Sequence, residues 1–165
     1  MAERDAPLIA MHRDKLRELH RRAAEAIHQL DDADVNWRPN EESNAIANLV
    51  IHLAGNLKQR LTAGIAGAPD TRDRDAEFNE RTPLTRDQVL ALWQSAVDEA
   101  DGVLAALSPD RLDEPQQIRN RTVTVLDVLF TVATHMAEHV GQILYIAKLR
   151  RGSEYQVVSI PHAKR

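Results

Sequence analysis

Four stretches of this chain repeat apolar residues at helical spacing, and nothing else in the sequence competes with that pattern. The first stripe includes Leu8, Leu16, Leu19, Ala23, Ile27 and Leu30. It predicts a helix from Pro7, suited to a first helical position, to Leu30, where Asp31-Asp32-Ala33-Asp34 stops it. The second begins near Ser43, a candidate cap, and carries Ile46, Leu49, Val50, Leu53, Leu57 and Leu61 before Gly64 and Gly67-Ala68-Pro69. The third opens on the capping box Thr85-Arg86-Asp87-Gln88, buries Val89, Trp93, Val97, Ala100 and Leu104, and ends at Ser108-Pro109. The fourth runs from Thr124, with Asp127 as capping partner, to Arg150, with Lys148, Arg150 and Arg151 at the negative end of its dipole and Gly152 as its stop. Four such segments joined by long first and third links predict an all-α four-helix bundle.

Composition agrees. Aromatic residues are only 4% of the chain while hydrophobic residues reach 43%, which suits closely packed helices better than a sheet core. A length of 165 residues fits a single domain over 1–165. The absence of cysteine removes disulfides, thiolate metal ligands and a cysteine nucleophile together. Basic and acidic residues are interspersed at a net charge of -4, so no nucleic-acid partner is expected. No apolar run is long enough to span a membrane, and Met1-Ala2-Glu3-Arg4-Asp5 leads into no signal-peptide region, so a cytoplasmic protein is expected. The mixed-charge stretch from Asp70 to Asp75 reads as a surface loop, or as a lid beside a functional site. The segment from Arg72 to Glu80, which follows the second helix, is expected near the open end of that site. The tail from Ser153 has a short extended pattern at Tyr155, Val157, Val158 and Ile160.

The histidines carry the chemistry. His12, His20 and His28 recur every eight residues, a spacing that spreads them around a helix by about 80° each, among arginines, and they read as surface residues. His135 and His139 stand four apart, about 40° around one face, alongside Val128, Val132 and Ile146. Two imidazoles on an apolar stripe repel if charged and lack partners if neutral, and a metal ion resolves both problems. The zincin motif is absent, because Met136 stands where that motif has Glu. His52 lies within about 60° of Ala45, Leu49 and Asn56 on the second helix and points inward as well. Three inward histidines on two helices match the three protein ligands of an open metal site.

Two stretches carry a family resemblance: Asn44-Ala45-Ile46-Ala47-Asn48-Leu49-Val50-Ile51-His52-Leu53-Ala54-Gly55-Asn56 and Thr134-His135-Met136-Ala137-Glu138-His139-Val140-Gly141-Gln142-Ile143. The chain resembles the DinB-like superfamily of metal-binding bundles, in which one histidine comes from the second helix and an His-x-x-x-His pair from the last. Those positions fall on His52, His135 and His139. The segment from Arg72 to Phe78 and the tail Ser159-Ile160-Pro161-His162 are similar to an uncharacterised branch of it. The resemblance implies an up-down-down-up topology, one divalent ion such as zinc or nickel, and a homodimer, to which Trp93 and Tyr155 offer interface area.

For activity, the resemblance implies a thiol S-transferase that passes a low-molecular-weight thiol to a small electrophile. The competing readings are a metal-dependent hydrolase and a non-catalytic metal-binding or stress-response protein. Glu138 is the candidate catalytic base, and Asn56, Gln142 and Tyr145 are candidates for the wall of a small-molecule or thiol-cofactor pocket.

Overall fold

An apolar stripe on one helix face needs a partner surface, and this chain supplies it by closing four helices into a ring. The computed structural model describes residues 2–79, 81–118 and 120–159. Its four long helices are α1 (Ala2–Ile27), α3 (Ile46–Leu57), α5 (Arg86–Ala106) and α6 (Val125–Arg151). α1 packs between α5 and α6, and α3 packs between the same two helices on the other side. The four stripes meet in one core, where Ile27, Ile46, Leu53, Trp93, Met136 and Ile143 are almost wholly enclosed. The all-α bundle is the fold that the apolar spacing demands.

Both predicted capping boxes form. Thr85 accepts from the Gln88 backbone while Gln88 accepts from that of Thr85, and Thr124 and Asp127 do the same at the start of α6. Gly152 closes α6 with φ of 54°, a left-handed angle that disfavours any side chain.

Elsewhere local signals yield to tertiary ones. α1 begins at Ala2 and carries Pro7 inside it, because strong helix formers precede the proline and little is forfeited so near a helix end. The aspartates after α1 are a start as well as a stop. Asp31 caps a short helix, α2 (Asp32–Asn36), through the Asp34 backbone, and Asp34 then pairs with Arg150 of α6 at 2.6 Å. α3 has Ala45, not Ser43, at its cap position and no side-chain cap; Ser43 instead donates its hydroxyl to Asn40. The first residues of α3 are buried, so packing fixes where it begins.

The third link also forms structure. β1 (Pro115–Ile118) and β2 (Arg121–Thr124) make an antiparallel hairpin with Ile118 opposite Arg121. The mixed-charge stretch is not a plain surface loop. It leads into α4 (Arg74–Asn79), and its Arg72 and Glu77 side chains are 6% and 7% exposed. Trp93 lies inside the core and cannot offer interface area, while Tyr155 is half-buried against the bundle. Ile160, Pro161, His162 and Glu80 lie outside the described residues. Among the described residues no helix is long and apolar enough to cross a membrane.

Candidate metal centre

α3 delivers His52 to the bundle interior and α6 delivers His135 and His139, one helical turn apart, to meet it. His52 is buried and the other two are half-buried. The Nε2 atoms of His52 and His135 lie 3.2 Å apart, as do those of His135 and His139. The candidate ligand atoms of all three residues fall within 4.8 Å of one another. The rings stand edge to face, with centroids 4.6 to 5.0 Å apart.

Two of the three tautomers follow from partners on the far side of each ring. His52 Nδ1 is 2.9 Å from Glu77 Oε2, so it donates a proton to that carboxylate. His139 Nδ1 is 2.9 Å from Gln142 Oε1 and donates likewise. The Nε2 lone pairs of both rings are thereby turned toward His135 Nε2. No arrangement of protons satisfies that meeting, since a neutral His135 can donate to only one of the two. A cation satisfies it at once. Tetrahedral ligands at about 2.0–2.1 Å from a metal sit roughly 3.3 Å from each other, close to the observed 3.2 Å. Two of the three pairs thus have the spacing of metal ligands and the third lies within 4.8 Å, so His52, His135 and His139 could hold one divalent ion.

Electrostatics favour the neutral, ligating form of the rings. Burial pushes the His135 pKa down from 6.5 to about 4, helped by the nearby His139, His52, Arg72 and Arg60. Burial also lowers that of His52, against the opposing pull of Glu77.

Glu77 anchors the back of the site. Its carboxylate accepts from His52 and from both Arg72 Nε, at 2.7 Å, and Arg72 Nη2, at 2.8 Å. Its backbone carbonyl accepts from Asn48, one turn before His52 on α3. The carboxylate approaches so closely because Gly55 has no side chain. A Cβ there would stand 2.1 Å from Glu77 Oε1. Such a carboxylate partner fixes the tautomer of a ligating histidine and raises its basicity. The expected approach of the segment from Arg72 to Glu80 is seen in Arg72, Arg74 and Phe78, which line the histidine cavity. The individual roles of Glu77 and Arg72 carried no sequence signal of their own, because the segment is polar and has no periodicity. The inward His52 was the available signal, since a buried ligating imidazole needs an acceptor for its second nitrogen.

The exposed side of the histidines opens on a cavity of about 250 Å³. Asn56, Arg60, Arg72, Arg74, Phe78 and Thr131 line it together with the three rings. Asn56 thus stands in the pocket wall. Gln142 orients His139 and, with Glu138 and Tyr145, lines a different cavity beside Glu42. Glu138 does not line the histidine cavity, and among the described residues no other carboxylate does. His12 is half-buried and bonded to the Leu8 carbonyl, His20 packs on Trp93 at 5.6 Å, and His28 is exposed. None of the three joins the cluster.

Comparison with known proteins bears on the fold. A family model described as "Protein of unknown function (DUF1572)" matches residues 4–164. A DinB-like protein of Bacillus subtilis, YjoA, superimposes with a TM-score of 0.69 at 16% identity, over 88% of this chain and 95% of that one. A conserved protein of Enterococcus faecalis gives a TM-score of 0.73 at 19% identity, over 87% and 97%. Both likenesses concern the fold alone: this chain shares its helical bundle with those two proteins, the first of which is described as DinB-like. No curated protein matches this chain.

Proposed function

The chain belongs to the DUF1572 family, and from that starting point we propose that it is a divalent-metal enzyme that transfers a low-molecular-weight thiol to a small electrophile. The observation that carries this reading is the convergence of three Nε2 atoms at the floor of an open cavity. Three neutral imidazoles suit zinc or nickel, and an open side is what distinguishes a catalytic site from a closed structural one. When bound, the ion would serve as a Lewis acid that lowers the pKa of a coordinated nucleophile.

The protein's own residues do the rest. Glu77 and Gln142 hold His52 and His139 in their ligating tautomers. Arg72 donates two hydrogen bonds to the Glu77 carboxylate and holds it in place against His52. Phe78 packs on the His52 ring at 4.7 Å and shields it from water. Among the described residues no carboxylate stands on the cavity wall, which favours a thiol over water as nucleophile. A thiol, with an ordinary pKa near 8.5, needs far less help than water to lose its proton. A hydrolase of this kind commonly adds a carboxylate base. A cytoplasmic setting, where small thiols are kept reduced, suits the same chemistry.

The test has two stages. Tag-free protein should carry about one equivalent of zinc or nickel by elemental analysis, and His52→Ala, His135→Ala or His139→Ala should each weaken binding by roughly 100-fold or more. The loaded protein should then conjugate cysteine, glutathione or coenzyme A to 1-chloro-2,4-dinitrobenzene in a chelator-sensitive reaction. Metal-free protein that gains no affinity from the three histidines would refute the reading at its base.

A further inference from the structure

α4 is a helix of six residues, too short to be stable alone, so other elements must fix where it sits beside the histidines. The ion pair of Arg72 with Glu77 lies within the segment, and Arg72 ties the segment's start to Gln59, past the end of α3, at 2.8 Å. Gly55 lets the Glu77 carboxylate approach but does not pull it in. Two residues of α3 do reach across. Asn48 and His52 stand four apart, so their side chains leave one face of α3 a turn from each other. Asn48 Nδ2 donates to the Glu77 backbone carbonyl at 3.0 Å, and His52 Nδ1 donates to the Glu77 carboxylate at 2.9 Å. Successive turns of α3 thus grip one residue at its backbone and at the end of its side chain. All three residues are buried.

A carboxamide can donate this way in only one of its two orientations, and Arg38 selects it. Arg38, in the link between α2 and α3, donates from Nη2 to Asn48 Oδ1 at 2.5 Å and from Nη1 to the Ser43 carbonyl at 2.8 Å. A guanidinium has no acceptor, so it faces the amide oxygen, and the amide NH2 is left turned toward the Glu77 carbonyl. The residue type is matched to both neighbours. A carboxylate at this position would pair with Arg38 but set an oxygen against the Glu77 carbonyl. An apolar side chain of the same size would answer neither group.

We propose that Asn48, oriented by Arg38, is a positioning residue for the metal centre. It fixes the Glu77 backbone, and with it the carboxylate that holds the His52 ring in its ligating tautomer. The chain of contacts runs from Arg38 through Asn48 and Glu77 to His52, and its first three members do not line the histidine cavity. The consequence for metal binding rests on the metal-dependent reading, whereas the coupling of Asn48 to His52 does not.

Two measurements on Asn48→Leu, Glu77→Ala and the double variant test it: cobalt affinity by chelator competition, and nitrogen–proton correlation spectra of His52 in the metal-free protein. Asn48→Leu should weaken cobalt binding about tenfold in the wild-type background and less than about threefold in the Glu77→Ala background, because it acts through that carboxylate. In the metal-free protein it should move the His52 Nδ1 signal away from the protonated position held in wild type. Where cobalt binds through the histidines, equal losses in the two backgrounds overturn the proposal, since a general loss of packing would give them. An unmoved His52 signal overturns it with or without metal. If the wild type binds cobalt no better than His52→Ala while Asn48→Leu still moves the His52 signal, the metal reading falls and the coupling stands. Should Asn48→Leu not fold, Arg38→Met breaks the outer contact alone and is held to the same outcomes.

Discussion

Glu77 Oε2 lies 2.9 Å from His52 Nδ1, although the two residues are 25 positions apart and sit on different helices. This contact fixes the orientation of one histidine ring of the cluster. Glu77→Gln keeps the shape but removes the charge that favours the Nδ1–H tautomer. Metal affinity, measured by competition with a chromophoric chelator, should fall by about 10- to 100-fold with the helical circular dichroism intact. An affinity within about threefold of wild type would show that the contact does not tune the site.

Gly55 exists to let that carboxylate in. Gly55→Ala would force Glu77 and the Arg72 Nε, 3.3 Å from the new Cβ, to move. The overpacking costs about 1–3 kcal/mol, which outweighs the roughly 1 kcal/mol that alanine gains over glycine in a helix. The variant should melt lower than wild type and bind metal more weakly. Gly102→Ala, an open position on α5 with nothing within 4 Å, should melt slightly higher. A neutral or stabilising Gly55→Ala would contradict the geometry.

Acid should destabilise the metal-free protein in a defined window. The native state holds the His135 pKa at about 4, below the ordinary 6.5, so between those values the unfolded chain binds a proton that the native state refuses. The contribution is present above pH 6.5, fades as pH falls toward 4, and amounts to about 1–2 kcal/mol for a half-buried ring partly screened by water. Asp101 adds a separate loss at lower pH. Its hydrogen bond with Arg13 leads the causes that hold its pKa at about 2, so its contribution fades from 3.8 down to that value. Denaturant titrations of chelated wild type and His135→Gln should diverge in slope between pH 6.5 and 4. Parallel curves would rule out His135 as the titrating group.

A homodimer, if it forms, has a ready surface on α6. Phe130, Tyr145 and Leu149 are 66%, 66% and 53% exposed and fall within about 100° of helix circumference. Gly141 lies between them with open space above it. The wild-type chain should run as a dimer in light scattering at tens of micromolar, and Phe130→Asp/Leu149→Asp should run as a monomer. A wild-type monomer at that concentration ends the proposal.

The four long helices, two of their capping boxes and the glycine stop of α6 were legible in the sequence, because each is written within a few neighbouring residues. So was the pairing of His135 with His139, since a spacing of four puts two side chains on one helix face whatever surrounds it. His52 announced its inward direction in the same way. What tertiary structure alone decided is everything that needs two distant segments to meet. Asp31 to Asn36 became a helix, and Pro115 to Thr124 a hairpin, because the bundle offered surfaces to hold them. The segment from Arg72 to Glu80 could be expected near the site, but that Arg72 and Glu77 are buried against His52 was decided only when α4 folded over Gly55. A polar residue carries no periodic mark of its partner. Its role is set by which buried group it must satisfy, and that is known only once the chain has brought the two together.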